Sequence, residues 1–357
     1  MPTGPGFTPR VTRLMALAQL GRMSMAPLTV SVPILGALTL GHALALRDLF
    51  GLCALGLCAH LFGFAINDLI DQPLDRTVPA LQQHPLVTGK LGRREAWAFA
   101  LCQAPLAFSL YYWLGGAGAG LGVLALSMGL SVIYNLWSKR GRLLRILPEI
   151  ALALSVGLLC LSGAMLKTAQ LPAHSLLYAL TLALVLLLLN SVSSGLKDLK
   201  TDAAFGATSF VLSTGSRMLD SDRIHIAKAL WLYCAGLQSA IFIGLLCLLK
   251  LFESSAPVSV LAGILGLYAA LHLRLILSLR SFTAVRGSLP LLSGYYNYAA
   301  LALAVAVHMP LGLQGLYGLL IFSLLSLPWR LSWRIWRRRY EPANASRSQY
   351  FALPGLK

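Results

Sequence analysis

Charge is what this sequence has least of. Only 11% of its 357 residues are Asp, Glu, Lys or Arg, while 57% are hydrophobic. A soluble domain carries about a quarter charged residues, so a water-facing shell around one core is excluded. Acids are the scarcest, twelve against 29 Lys and Arg, for a net charge of +17. Such a balance suits nucleic acid, anionic lipid or an anionic substrate. The bases fall in short loops between apolar runs, which favours membrane orientation and phosphate binding over nucleic acid. Cysteine patterning is also missing. Cys53, Cys58, Cys102, Cys160, Cys234 and Cys247 lie singly inside apolar segments, without CxxC or a Cys/His cluster. This excludes a disulfide framework or thiolate metal centre, and they read as small buried apolar residues.

What is abundant is the apolar run of about 20 residues, the length that spans a bilayer. Ten helices are expected near 25–45, 49–67, 95–114, 117–137, 147–166, 174–196, 224–249, 256–279, 289–309 and 311–330. The last two are separated only by Met309, Pro310 and Leu311, so nine spans plus a re-entrant piece is the alternative. With a cytoplasmic N-terminus, only Arg47, Lys167 and Lys250 lie in outside loops, and the other Lys and Arg fall on the cytoplasmic side. The positive-inside rule then sets the orientation, in a membrane expected to be the bacterial inner membrane. Residues 1–24 are expected to stay as a cytoplasmic segment, 25–330 to form one transmembrane domain, and 331–357 to be a basic interfacial helix end and disordered tail. Trp329, Trp333 and Trp336 interleaved with arginines suit anionic head groups.

Five of the twelve acids fall in two short stretches: Asp68, Asp71 and Asp75 after the second helix, Asp198 and Asp202 after the sixth. Solvated loops are the bland reading. Asn67, Asp71 and Asp75 recur every four residues, as do Asp198 and Asp202, which on a helix stacks each set on one face. Like charges so placed repel, and a divalent cation relieves the repulsion. A donor set of oxygens alone suits Mg²⁺, which takes a few carboxylates plus phosphate oxygens and water. Bases flank both stretches: Arg76, Lys90, Arg93 and Arg94 by the first, Lys197 and Lys200 by the second, with Lys139, Arg140, Arg142 and Arg145 in a third loop. Acids for metal beside bases for phosphate oxygens are what a diphosphate site requires.

The stretch from Asn67 to Arg76 resembles the NDxxDxxxDR motif of the UbiA prenyltransferase superfamily. His84-Pro85-Leu86-Val87-Thr88-Gly89 is similar to its RPLxxG, Lys197 to Gly206 to its KDxxxDxxxG, and Tyr134 to Arg140 to the Tyr-to-Lys-Arg segment ending its fourth helix. Arg22 stands where the family commonly has an Arg. The resemblance spans about residues 20–250. It implies an all-α transmembrane bundle of nine core helices and a possible tenth, in two related halves around a central chamber. It further implies Mg²⁺ held by Asn67, Asp71, Asp75, Asp198 and Asp202, and a polyprenyl diphosphate bound through Arg22, Arg76, Lys139, Arg140 and Lys197. The implied reaction is ionisation to an allylic cation, which an aromatic or lipid-like acceptor captures. Tyr134 is counted with the substrate-binding residues. Approaching the second motif from one helix, Asn190, Ser193 and Ser194 would shape the acceptor pocket or form interhelical hydrogen bonds. Tyr134, Tyr295, Tyr296 and Tyr298 could face the cation, or simply pack.

Three positions depart from the family. His84 replaces its Arg, Ser193 replaces the Tyr four residues before the Lys, and Pro73 interrupts the first motif, where it implies a kink or a new helical turn. Polar residues at helix depth are functional suspects: Glu149, Asn190, Asn297, His60 and His272, with pairing of Glu149 to Arg145 as the bland alternative. A terpene cyclase on the same scaffold is the rival enzyme. A transporter is less favoured, because the acids gather at the membrane boundary and not at mid-depth.

Overall fold

The computed structural model describes residues 9–23, 25–42, 44–77, 81–138, 145–204, 206, 209–252, 258–278, 281–282, 289, 293–294, 297–298, 300–302 and 304–305. The expected helix at 311–330, most of that at 289–309, the basic tail, Lys139, Arg140, Tyr295 and Tyr296 lie outside them.

Apolar runs rich in Leu and Ala become helices, since in lipid every backbone N–H and C=O must bond within its own segment. The order is α1 (Pro9–Leu20), α2 (Ala26–Leu38), α3 (Leu46–Asp75), α4 (Arg93–Trp113), α5 (Ala119–Trp137), α6 (Leu147–Met165), α7 (Ala173–Leu188), α8 (Gly195–Ala204), α9 (Phe210–Ser213), α10 (Lys228–Leu251) and α11 (Val258–Ser278). A π-helical turn, Leu189–Ser194, joins α7 to α8 without a break. Among the described residues, five helices are long and apolar enough to cross a membrane: Leu46–Pro73, Ala119–Trp137, Leu147–Met165, Ala173–Ala204 and Lys228–Leu251. Large apolar side chains such as Leu101, Leu126, Leu180 and Leu232 stand exposed on the outer surface, where only lipid accepts them. The chain is an integral membrane, all-α protein.

Three expectations shift. The first long helix stops at Leu38 instead of about residue 45. Part of the basic N-terminal segment is itself helical, as α1. Between α9 and α10 lies a small antiparallel pair, β1 (Arg217–Met218) and β2 (Ile224–His225), and β2 occupies what was expected to begin the helix at 224–249. Asp220 builds its turn. It accepts from the backbone N–H groups of Arg223 and Asp222 and from the Arg223 guanidinium, which together hold its carboxyl low, at about 2. Cys102 and Cys247 are exposed on their helices, whereas Cys58, Cys160 and Cys234 are buried as expected.

Helix α2 packs against α3, α6 and α7; α3 also meets α4 and α5, and α10 meets α7 and α11. Without a hydrophobic drive between helices in lipid, small residues and buried hydroxyls hold such contacts. A Cβ on Gly36 would sit 1.8 Å from the Cys160 carbonyl oxygen, and one on Gly163 1.9 Å from that of Pro33. Backbone therefore meets backbone across α2–α6. Ser127 and Ser155 each donate to the other's carbonyl, at 2.7 and 2.8 Å, joining α5 to α6. Thr39 and Ser175 share a 2.6 Å bond between the end of α2 and α7.

Polar contacts collect at the two ends of the bundle. One end pairs Lys167 with Asp48 and lays Arg47 over the Trp113 ring. The other gathers Arg13, Arg22, Asp68 and Glu95. Helix α3, at 30 residues, is about 45 Å long, and the hydrocarbon layer is about 30 Å thick. The helix is therefore longer than a perpendicular crossing requires. Residues 173–204 overshoot in the same way. Both acidic stretches thus ride on helix extensions, not on loops.

Candidate active site between the two acidic helix ends

The first motif lies on the final turns of α3, which runs unbroken through Pro73 to Asp75; no new helix begins there. Asp71 and Asp75 are each only 7% exposed and Asp68 only 1%. Asp68 separates from the other acids. One oxygen is 2.5 Å from the Arg22 guanidinium and the other 3.0 Å from His84 Nε2. Burial by itself would weaken the Arg22 charge, but Asp68, backed by Asp75 and Asp71, raises its pKa on balance. Arg22 also donates to Asn67 Oδ1 at 3.1 Å and lies over the Phe64 ring. It is the only described non-glycine residue with a positive φ, 41°, a conformation that persists only where surrounding contacts impose it. His84, standing where the family has Arg, thus keeps a contact to the first motif. Its Nδ1 is buried and has no partner among the described residues.

Asn135 on α5 was not singled out from the sequence. It is buried, accepts from the Asn67 amide at 3.0 Å, and donates to the Gly63 carbonyl at 3.1 Å. A lone polar residue in an apolar helix, next to Tyr134, was the signal available. Arg76, with Arg93 and Gln72, lines a cavity of about 270 Å³ beside the first motif, where Gln72 bridges the Leu86 carbonyl and the Arg93 guanidinium.

The second motif follows the π-helical turn, a widened turn frequent at functional sites. Here it sends successive polar side chains in different directions. Asn190 reaches α5 and α6, Ser191 bonds Tyr233 on α10 at 3.1 Å, and Ser193 donates to Ser293 at 2.9 Å. Ser293 is in turn 2.7 Å from His272 Nε2, whose Nδ1 meets Gln238 at 2.7 Å. Ser193 and His272 therefore belong to a buried polar network. His60 is similarly engaged, with Thr29 and the Gly21 carbonyl. Asp198 is exposed and lies 3.5 Å from Lys197; Asp202 is half-buried.

Between the motifs sits a three-residue cluster. The Asn190 amide donates to the Tyr134 hydroxyl at 3.0 Å and to the Glu149 carboxylate. Asp71 lies in electrostatic range of Tyr134, and Asp202 in range of Glu149. The cluster thus links the face of the first motif to that of the second. Glu149 makes no ion pair with Arg145. Among the described residues no three acids, histidines or cysteines converge into a closed metal cage.

A membrane helical bundle with two acid-bearing helix ends around a polar cluster defines a class, and comparison identifies it. The UbiA prenyltransferase family model matches residues 26–286, and the chain belongs to that family. Its fold is shared with the apo structure of a UbiA homolog from Aeropyrum pernix K1 (TM-score 0.58, 17% identity, 80% of this chain and 96% of that one). The same holds for a UbiA homolog from Archaeoglobus fulgidus bound to DMAPP and Mg²⁺ (TM-score 0.56, 16% identity, 80% and 99%). A protoheme IX farnesyltransferase from Nitrosococcus oceani is 36% identical over 91 residues. That match covers 26% of this chain and spans 30% of the relative's length.

Proposed function

We propose that this protein transfers a prenyl group from a prenyl diphosphate to an aromatic or lipid-like acceptor at the cytoplasmic face of the membrane. The observation that carries the proposal is the approach of two acidic helix ends to one cluster, Tyr134–Asn190–Glu149, at the mouth of an apolar bundle. The Mg²⁺-and-DMAPP-bound relative supports it.

The donors fit Mg²⁺. Asn67, Asp71 and Asp75 offer only oxygen from one helix face, Asp198 and Asp202 from another. An incomplete protein cage suits an ion that keeps water and phosphate ligands. When bound, Mg²⁺ would offset the charge that grows on the departing diphosphate. Arg22 and Lys197 add fixed positive charge, with Lys139 and Arg140 assigned the same role from the sequence. Charge placed in advance stabilises a leaving group without reorganisation. The bundle keeps water from the allylic cation. Arg76 is assigned the same role as Arg22 and Lys197, beside a cavity it shares with Arg93 and Gln72.

Purified protein in lipid nanodiscs, given Mg²⁺, farnesyl or geranylgeranyl diphosphate and a panel of acceptors, is assayed by mass spectrometry. Prenylated acceptor is the expected product. A cyclic hydrocarbon from the diphosphate alone would identify a cyclase instead. Asp71→Ala and Asp198→Ala are each expected to abolish turnover in protein that still inserts; turnover retained in both refutes the proposal.

A further inference from the structure

Glu149 belongs to the cluster at the centre of the proposal above, yet no chemical step there uses it. It stands in the first turn of α6, half-buried, without a basic partner among the described residues. A carboxylate so placed is costly unless hydrogen-bonded, and one neighbour is set to hold it. Asn190 spends both amide hydrogens on its flanks, one on Glu149 and one on the Tyr134 hydroxyl. Among the described residues, two valences are left over. Tyr134 accepts from Asn190 and keeps its own O–H hydrogen to donate. Glu149 keeps a second carboxylate oxygen to accept. A donor and an acceptor held side by side match a hydroxyl group, which needs one of each. They do not match a carboxylate, which only accepts and would meet the field of Glu149, Asp71 and Asp202.

We infer that Glu149 is the base that takes the acceptor's proton, and that the acceptor presents a phenol or alcohol to the Tyr134–Glu149 pair. The inference rests on the prenyl-transfer reading. In the step, the C1–O bond of the prenyl diphosphate breaks and its electron pair leaves on the diphosphate. The acceptor O–H proton passes to the Glu149 carboxylate. The pair it leaves behind forms the bond to C1, either from oxygen or from a ring carbon conjugated to it; in the second case the hydrogen on that ring carbon then leaves as a proton and the phenol oxygen takes one up, restoring the aromatic ring with one proton lost overall. Protonated Glu149 returns the proton to water once product departs. Asn190 is a positioning residue, fixing the carboxylate and the phenol in register. The other groups facing Glu149 are Tyr233 from α10 and Asp202 from α8.

The test uses the full chain in nanodiscs with Mg²⁺ and farnesyl diphosphate. Acceptors are hydroxybenzoate, homogentisate, a dihydroxynaphthoate and a glycerol lipid, with haem as an acceptor lacking phenol or alcohol. Diphosphate release and prenylated product are followed separately. Wild type is expected to prenylate at least one hydroxyl acceptor. Glu149→Gln is expected to lower product formation about 100-fold or more while changing diphosphate release by no more than about threefold, as loss of a base and not of the leaving-group site requires. Its kcat/KM profile loses the acidic limb; Glu149→Asp restores part of rate and limb, and Tyr233→Phe keeps the limb. Unchanged transfer by Glu149→Gln overturns the inference, as does parallel loss of release and transfer, or prenylation of haem alone. A wild type that releases no diphosphate sinks the prenyl-transfer reading itself, and this inference with it.

Discussion

The Arg22–Asp68–His84 contact is the place to test how the site is built. Asp68 is 1% exposed and its two oxygens are shared between Arg22 at 2.5 Å and His84 at 3.0 Å. Stripping one partner from a buried ion pair costs about 3–5 kcal/mol, because the remaining charge is stranded, whereas an exposed pair contributes only about 0–1. This pair lies between those limits. The Arg22 side chain keeps 44% exposure, so water screens it, and His84 still serves the other carboxylate oxygen. Arg22→Leu is therefore expected to cost about 2 kcal/mol. Asp68→Asn should cost a similar amount, by leaving Arg22 without its counter-charge. Because both changes remove one contact, the double variant should recover at least about 1 kcal/mol relative to the sum. The assay is a double-mutant cycle on reversible unfolding in mixed micelles, followed by circular dichroism. Strict additivity would refute the argument, since it would mean the two side chains touch without holding the α1–α2 turn to α3.

Two further outcomes follow from local geometry. Gly36→Ala places a methyl against the Cys160 carbonyl of α6 and should destabilise the bundle by about 1–3 kcal/mol through overpacking. Gly129→Ala, with nothing within 4 Å of its added Cβ, should be neutral or slightly stabilising; equal thermal stability of the two variants would contradict the α2–α6 packing. Asp220, ordinarily near 3.8 and held at about 2 here, has a depressed carboxyl. Its contribution is fully present above pH 3.8 and lost as pH falls through about 2. Hydrogen exchange at the Asp222 and Arg223 amides should stay slow at pH 4 and accelerate only toward pH 2; acceleration already at pH 5 would show that the turn is held by other groups.

Much of the architecture is written locally. Runs of Leu and Ala long enough to cross lipid specify helices by themselves, since lipid leaves the backbone no other partner. The four-residue spacing of Asn67, Asp71 and Asp75 already fixes them on one helical face, and α3 carries them so. What the local pattern conceals is rotation. In a soluble helix the apolar stripe marks the inner face. In a membrane helix lipid-facing and core-facing residues are both apolar, so hydropathy does not say which way a side chain points. Glu149, for which solvation or pairing with Arg145 four residues away stood beside a functional reading, bonds Asn190, 41 positions on. Asn135 drew no notice among apolar neighbours, though it is the partner of Asn67.

By itself, then, the sequence determined a membrane-embedded all-helical chain and the family to which it belongs. Short-range hydrogen bonding and residue spacing suffice for both. Tertiary structure alone decided that Asp68 turns to Arg22 and His84. It also decided that Glu149 meets Tyr134 through Asn190. Those outcomes depend on how close Gly36 and Gly163 let the helices come and on how each helix is rotated when they meet. Such contacts join residues tens of positions apart, and no spacing along one helix encodes them.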